Sequence, residues 1–192
     1  MADFFINDKE YIVKQELNKT DDYTRYLVEW EGMDFIAKHF NPQDARSFLI
    51  DGNKVQKEVT AFFELSKIFI PLSPLHDYSL SDKLIVKEFI PGDVAADLLQ
   101  NKKMTPDIYR EIFRIAHLAE SFGFILDYDP CNYIWSNGVL YYTKYSFKKY
   151  DESKCFKKYG LGFWIPRYES LSLELKAMKR QEYIANYGAK KK

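Results

Sequence analysis

The sequence lacks an excess of charge of either sign. Its 192 residues include 28 lysines and arginines and 28 aspartates and glutamates, so the formal net charge at neutral pH is zero. Non-specific binding to a nucleic-acid backbone is driven by positive charge, and only the C-terminal AKKK forms a short basic run. We therefore expect no nucleic-acid partner.

Long hydrophobic runs are also missing. No stretch approaches the roughly 20 apolar residues that a membrane-spanning helix needs. The N-terminal segment MADFFINDKEYIV contains acidic residues, and it has no basic part followed by an apolar run, which is unlike a signal peptide. We therefore expect a cytoplasmic protein without a membrane partner.

Cysteine and histidine, the usual ligands of transition metals, are scarce. The two cysteines, Cys131 and Cys155, do not lie at a metal-binding or redox spacing from one another or from any of the three histidines. We expect both thiols to be reduced, since a free cysteine commonly packs as a small apolar residue. These residue types therefore predict no metal site.

The first half of the chain is predicted to be rich in strands. Three segments within residues 4–40 are rich in β-branched and aromatic residues and predict a three-stranded antiparallel meander: YIVKQEL, TRYLVEW and MDFIAKHF. The segment KVQKEVTAFFELSKI has apolar residues at helical spacing from Val55 to Phe63, which predicts an amphipathic helix. The run KLIVKEFIPG predicts a further strand that ends in a linker at Pro91 and Gly92.

The second half is predicted to be mainly helical. DVAADLLQN begins with Asp93 in the N-cap position, and TPDIYREIFRIAHLAESFGF has Thr105 as its cap, Pro106 at its first helical position and Gly123 at its end. GVLYYTKY predicts a strand, and ESLSLELKAMKRQEYIANYG predicts another helix. The whole pattern indicates an α+β fold with a β-rich N-terminal lobe that includes one helix, a reduced, mainly α-helical C-terminal lobe, and a cleft between them.

One polar segment stands in apolar surroundings. The segment FILDYDPCNYIW carries Asp127, Asp129 and Asn132 between hydrophobic residues. Such side chains can simply cap the backbone of their own loop. They are also the groups that a binding site places at the floor of a dry cleft, because their electrostatic effect grows as water is excluded.

An ordered series of motifs over residues 10–150 resembles the protein-kinase-like superfamily in its compact bacterial form. FIAK is similar to the end of the strand that carries the phosphate-binding lysine, which is Lys38 here. Glu58 falls where the family's helix places the carboxylate that pairs with this lysine, and we expect an exposed ion pair that adds little stability. LIVKEFIPG resembles the hinge strand that receives adenine, and its backbone groups belong to Glu88, Phe89 and Ile90.

The polar segment then resembles the family's catalytic loop. Asp127 and Asn132 have the spacing of the last residues in the H-R-D-x-x-x-x-N signature. The resemblance implies that Asp127 accepts or orients the proton of the attacking hydroxyl, that Asn132, with Asp129 as a further candidate, holds magnesium, and that the nucleotide is ATP. It implies one kinase-like domain over residues 1–192, divided into an N-lobe (1–90), a hinge (87–92) and a C-lobe (93–192).

Two departures from the family's pattern concern phosphate and metal binding. The segment LNKTDDYT contains no glycine, whereas the family has a glycine-rich loop between its first two strands, and it places Asp21 and Asp22 near the expected phosphates. Lys144 stands where the metal-binding aspartate is expected. An ammonium group cannot replace a carboxylate as a magnesium ligand, so we expect Lys144 to project into the cleft and to neutralise Asp127 or a bound phosphate.

Three interpretations of the function remain open. The first is a pseudokinase that binds ATP weakly or without metal and acts through a protein partner. The second is an active small serine/threonine or small-molecule kinase that transfers phosphate to a hydroxyl with Asp127 and Asn132. The third is a chromodomain-like reader of methyl-lysine, because residues 10–33 resemble the opening of that domain, with Tyr11 and Trp30 as cage aromatics.

Overall fold

The structure, a computed structural model, describes residues 3–41 and 53–165. The fold is α+β, and its largest element is an antiparallel sheet of six strands in the order β1-β2-β3-β4-β6-β5. The strands are β1 (Phe4–Ile6), β2 (Lys9–Lys19), β3 (Tyr23–Trp30), β4 (Met33–Phe40), β5 (Leu75–Ser79) and β6 (Leu84–Glu88).

The predicted meander is confirmed as β2, β3 and β4, which pair antiparallel in sequence order. Its last turn consists of Glu31 and Gly32 between directly paired Trp30 and Met33, and both turn residues have positive φ. A two-residue turn of this kind matches the twist of the flanking strands. The meander therefore forms from local sequence signals.

The helix α1 (Lys54–Ser66) follows, as the apolar spacing predicts. Asn53 caps its N-terminus, because the side-chain oxygen of Asn53 accepts a hydrogen bond from the backbone N–H of Gln56. Val55 and Val59 are buried, whereas the exposed fraction of Phe63 is 51%. One face of α1 thus packs on the core, and Glu58 of the same helix contacts Lys38 of β4.

The second half combines helices with two small sheets. The predicted long helix is confirmed as α3, and Thr105 caps it by accepting a hydrogen bond from the backbone N–H of Ile108. The elements are β7 (Asp93–Val94), α2 (Ala95–Gln100), α3 (Pro106–Ser121), β8 (Phe124–Leu126), β9 (Tyr133–Ser136), β10 (Val139–Tyr142), β11 (Phe147–Lys149) and α4 (Leu161–Trp164). Short 3-10 helices occupy Pro130–Asn132 and Glu152–Lys154, and a π-helix occupies Phe156–Gly160.

The structure corrects two predictions for local structure. Asp93 is not a helix cap: it pairs with Trp135 of β9, and Val94 occupies the N-cap position of α2 without a side-chain hydrogen bond. The strand β5 has no counterpart among the predicted elements. Its residue Asp77 accepts hydrogen bonds from three side chains of the N-terminal hairpin. The helix predicted at residues 169–188 lies outside the described residues.

Contacts of residues 72 and 73 with residues 142 and 145 connect the two halves of the chain, while the large sheet and the small sheets remain separate. Leu72 forms a parallel bridge with Tyr142 of β10, and the buried Tyr145 hydroxyl donates to the backbone oxygen of Ser73. Gly92 lies against β9 so closely that a Cβ atom would stand 2.3 Å from the backbone oxygen of Trp135. An alanine at Gly92 would therefore push these segments apart.

Aromatic side chains fill the core on both faces of the large sheet. Trp164 is fully buried and donates its indole N–H to the backbone oxygen of Tyr128 at 2.7 Å. Tyr11 is fully buried against Phe35 on the opposite face of the sheet. A methyl-lysine cage needs open aromatic faces, so the buried Tyr11 is not accessible as one of the two cage aromatics that the sequence suggested.

Within the described residues, the helices are too short or too polar to cross a membrane.

Candidate functional site

A cleft of about 650 Å³ opens between the large sheet and the second half of the chain. Its walls come from β2 to β4, α1, the segment that follows β6, and the residues that precede β9 and follow β10. The structure brings seven of the nine predicted site residues into the lining of this cleft: Lys38, Glu58, Glu88, Phe89, Ile90, Asn132 and Lys144.

The cleft carries an excess of positive charge, although the whole chain is neutral. Six basic side chains line it, against three carboxylates. A concave, partly apolar surface strengthens the field of such groups relative to open water. The lining therefore favours an anionic ligand. The basic residues are Arg25, Lys38, Lys54, Lys57, Lys87 and Lys144, and the carboxylates belong to Asp22, Glu58 and Glu88.

Lys38 and Glu58 form the ion pair that the resemblance implies, but the pair is not exposed. The Lys38 ammonium donates to Glu58 Oε1, and the exposed fractions of the two side chains are 13% and 17%. The ammonium also lies 4.2 Å from the ring centre of Tyr23 and 4.6 Å from that of Phe40. The expectation of an exposed pair is wrong, because α1 and two aromatic rings cover it.

Replacing Lys38 with methionine should therefore destabilise the fold as well as weaken ligand binding. The change leaves the Glu58 carboxylate partly buried without its closest cation, which should lower the free energy of unfolding by roughly 1–3 kcal/mol. Denaturant unfolding measures this loss. The matched control is Lys67→Met, which removes an exposed partner of Glu64 and should change stability by less than about 0.5 kcal/mol. An unchanged unfolding midpoint for Lys38→Met would contradict the burial of the pair.

Lys144 and Asp127 form a second ion pair at the edge of the cleft. Lys144 Nζ lies 2.5 Å from Asp127 Oδ2, with 44% and 37% of the two side chains exposed. Burial acts to raise the pKa of Asp127, but the hydrogen bond from Lys144, the backbone N–H of Asp129 and nearby lysine charges together hold that pKa below its usual value. Lys144 thus projects toward Asp127, as predicted, and neutralises it.

Asn132 and Asp129 have different environments. The backbone oxygen of Asn132 accepts hydrogen bonds from the N–H and the hydroxyl of Thr143, at 2.8 and 3.1 Å, and the residue lines the cleft. Asp129 is exposed and caps a 3-10 turn, because its Oδ1 accepts from the backbone N–H of Cys131. Asp129 therefore performs the self-capping role that the sequence also allowed.

The residues that would hold magnesium form a poor donor set. Magnesium prefers several oxygen ligands in octahedral geometry. Over residues 3–41 and 53–165, no three side chains of histidine, cysteine, aspartate or glutamate gather as a metal site. In the loop before β9, the Asp127 carboxylate accepts from the Lys144 ammonium and Asp129 caps its own turn.

The turn between β2 and β3 cannot cradle phosphates with its backbone. The N–H of Thr20 donates to the backbone oxygen of Tyr23, and the N–H groups of Asp22 and Tyr23 donate to the Thr20 hydroxyl. The Asp22 carboxylate binds Lys54 at 2.6 Å, and this hydrogen bond lowers the pKa of Asp22. Any phosphate in the cleft must therefore be held by side-chain cations rather than by a nest of N–H groups.

The segment after β6 offers one backbone donor. The N–H of Glu88 donates to the backbone oxygen of Pro74, and that of Phe89 donates weakly to Asp34. The Glu88 oxygen already accepts from the Ser73 hydroxyl at 2.8 Å, although a carbonyl can accept a second bond. Among the described residues the N–H of Ile90 has no partner. Ile90 is therefore the best placed of the three to bind a ligand with its backbone.

Lys87 is a cleft residue that the sequence reasoning missed. Only 9% of its side chain is exposed, and its ammonium donates to the backbone oxygen of Thr143 at 3.0 Å. The sequence did carry a signal, since Lys87 is the one charged residue inside the apolar run LIVKEF before Glu88. A lysine in a strand that is otherwise buried needs a structural or functional reason.

Comparisons with known proteins add no relative. No protein-family model matches the chain, and a search of curated proteins gives no significant match.

Proposed function

We propose that this protein is a kinase-like nucleotide-binding protein that holds ATP without magnesium and does not transfer phosphate. The observation that carries the proposal is the ion pair between Lys144 and Asp127. In a kinase-like site, position 144 is where phosphotransfer needs a metal-binding carboxylate, and here it carries an ammonium. A fixed cation can neutralise phosphate oxygens in place of magnesium. The protein is in this respect a pseudokinase.

The proposed fold is bilobal and kinase-like, and the order of the site residues along the chain supports it. The sheet supplies Lys38, α1 supplies Glu58, and the segment that follows β6 supplies the free N–H of Ile90. The loop before β9 supplies Asn132 to the cleft lining, and Asp127 of the same loop pairs with Lys144 at the edge of the cleft. The order Lys38, Glu58, Ile90, Asp127, Asn132 along the chain is the one that the resemblance implies, and it supports the proposed fold.

The cleft has separate regions for the two parts of a nucleotide. Apolar side chains in the cleft lining suit a flat base: Ile36 from the sheet, and Val94 and Ile134 from the second half of the chain. The cationic side chains suit the phosphates, with Lys38 as the buried one. A nucleotide combines an apolar, hydrogen-bonding ring with a strongly anionic chain, so it matches both regions.

The same geometry disfavours chemistry. A catalytic aspartate must be free to accept or orient the proton of the attacking hydroxyl. Here Asp127 already accepts from Lys144 and from the backbone N–H of Asp129, and its pKa is lowered, which makes it a weaker base. Binding without turnover would then act by changing the protein's contacts with a protein partner.

Thermal unfolding with ATP or ADP, each with magnesium or with EDTA, tests the proposal. We expect ATP to raise the unfolding temperature equally with magnesium and with EDTA, since a ligand at about 100 times its Kd adds about 2.7 kcal/mol. Stabilisation that strictly requires magnesium, together with phosphate transfer, would show an active kinase instead. No stabilisation by either nucleotide under any condition would refute nucleotide binding.

A further inference from the structure

Lys87 stands in an apolar position at the inner wall of the cleft. Its direct neighbours on the adjacent strands are Ile36 of β4 and Leu75 of β5. On the open side, its ammonium lies 3.5 Å from the ring centre of Tyr145 and bonds to the backbone oxygen of Thr143. The hydrogen bond and the ring leave part of the ammonium's donor capacity unused.

Two lysines share one carboxylate at this wall. Glu58 Oε1 accepts from Lys38, and Glu58 Oε2 lies 4.0 Å from Lys87 Nζ. Glu58 Oε2 is buried and has no hydrogen-bond partner among the described residues. Arg25, directly opposite Lys38 on β3, adds a further cation. When both lysines are protonated, the cluster therefore carries positive charge that Glu58 does not balance.

Within this cluster, the protonation state of Lys87 changes near neutral pH. Burial lowers the pKa of Lys87 to about 7; the attraction of Glu58 opposes this shift, and the charges of Lys38 and Arg25 add to it. Tyr145, the remaining titratable group in contact with this amine, has a pKa far above neutral because it is buried. Near neutral pH the amine is thus close to half protonated, and a nearby anion would favour the protonated form.

We propose that Lys87 is a second anion ligand of the cleft, beside Lys38, and that it takes up a proton when a phosphate-bearing ligand binds. The inference rests on the proposed function, since it concerns the anion of the same cleft. A phosphate oxygen supplies the negative charge that the lysines lack. Affinity for the phosphate-bearing ligand should then be highest below about pH 7 and should fall as the pH rises and the amine loses its proton.

Calorimetric titration with ATP in EDTA tests the inference on the wild-type protein. At about pH 7.5 we expect proton uptake, seen as a binding heat that changes with the ionisation enthalpy of the buffer. The terminal phosphate of ATP itself titrates near pH 6, so the pH dependence is judged against Lys87→Met with the same ligand. Between about pH 6.5 and pH 8.5, the Kd of the wild type should rise on the order of tenfold more than that of the variant.

The matched control is Lys57→Met, which removes an exposed lysine of the same cleft. It should weaken ATP binding by a similar factor at every pH, because it removes one surface lysine and leaves the buried cluster of Lys38, Glu58 and Lys87 unchanged. Wild-type binding without proton uptake, or with the same pH profile as Lys87→Met, would overturn the role of Lys87 and leave nucleotide binding intact. If the wild type binds no ATP even at about pH 6.5, the proposed function itself is wrong.

Discussion

Replacing Lys87 with methionine should stabilise the protein by several kcal/mol in mild acid and by progressively less toward alkaline pH. The folded protein holds the pKa of Lys87 near 7, against a usual 10.5. Below pH 7 both the folded and the unfolded chain are protonated, so the folded state carries the full cost of a buried charge. A shift of this size corresponds to roughly 4–5 kcal/mol as an upper bound.

The sign of the pH dependence follows from proton counting. Between about pH 7 and pH 10.5 the unfolded chain binds a proton at Lys87 that the folded chain has lost, so wild-type stability rises with pH over this range. Methionine has a similar length and does not titrate, so the advantage of the variant should shrink over the same range. Urea unfolding of both proteins at about pH 6, 7.5 and 9 measures the difference.

The outcome distinguishes a buried charge from an ordinary surface lysine. Lys67→Met removes an exposed lysine and should run parallel to the wild type at all three pH values. A stability difference between Lys87→Met and the wild type that stays constant with pH would show that Lys87 keeps a normal pKa. In that case the proton uptake proposed for ligand binding would also lose its basis.

Elements with strong local signals could be predicted from the sequence. The meander and the helices α1 and α3 follow from alternation, helical spacing and caps such as Thr105, all of which act within a few residues. The strand β5 could not be predicted in this way. Its sequence LHDYS is polar, and hydrogen bonds that Asp77 accepts from the side chains of Asn7, Lys9 and Tyr11 connect it to the first hairpin. These contacts span more than 65 residues, and no local pattern reports them.

In the site, too, some contacts could be predicted from the sequence and others depend on the packing of the folded chain. The resemblance to the kinase-like family implied that Lys38 meets Glu58 and that Lys144 approaches Asp127, and both pairs are present. It did not predict that aromatic rings cover Lys38: the ring of Tyr23 comes from the neighbouring strand β3, and Phe40 lies two residues further along β4.

The role of Lys87 could not be predicted from the sequence either, because its contacts are with residues distant in the chain. Its role depends on a carboxylate 29 positions earlier and a carbonyl 56 positions later in the chain. The charge excess of the cleft is likewise a property of the folded surface, since the chain as a whole is neutral.

Changing Lys144 to aspartate should make ATP binding depend on magnesium. The variant replaces the ammonium beside Asp127 with a second carboxylate, near the side of the cleft that Asn132 lines. Two carboxylates at the same edge of the cleft repel one another and the phosphates, and magnesium relieves both repulsions while gaining oxygen ligands. We expect magnesium to tighten ATP binding to Lys144→Asp by at least about tenfold, or about 1.4 kcal/mol, and to leave wild-type binding nearly unchanged.

The variant Lys144→Met separates loss of the ammonium from gain of a metal ligand. It should bind ATP more weakly than the wild type, and magnesium should restore little of that loss, because methionine offers no oxygen. Phosphate transfer by Lys144→Asp should be slow at best. The N–H groups of the turn between β2 and β3 still donate to Thr20 and Tyr23, so they do not bind phosphate. Each roughly 1.4 kcal/mol of missing transition-state stabilisation costs tenfold in rate. Strictly magnesium-dependent transfer by the wild type would instead mean that Lys144 leaves Asp127 when ATP and metal bind, and that the protein is a working kinase.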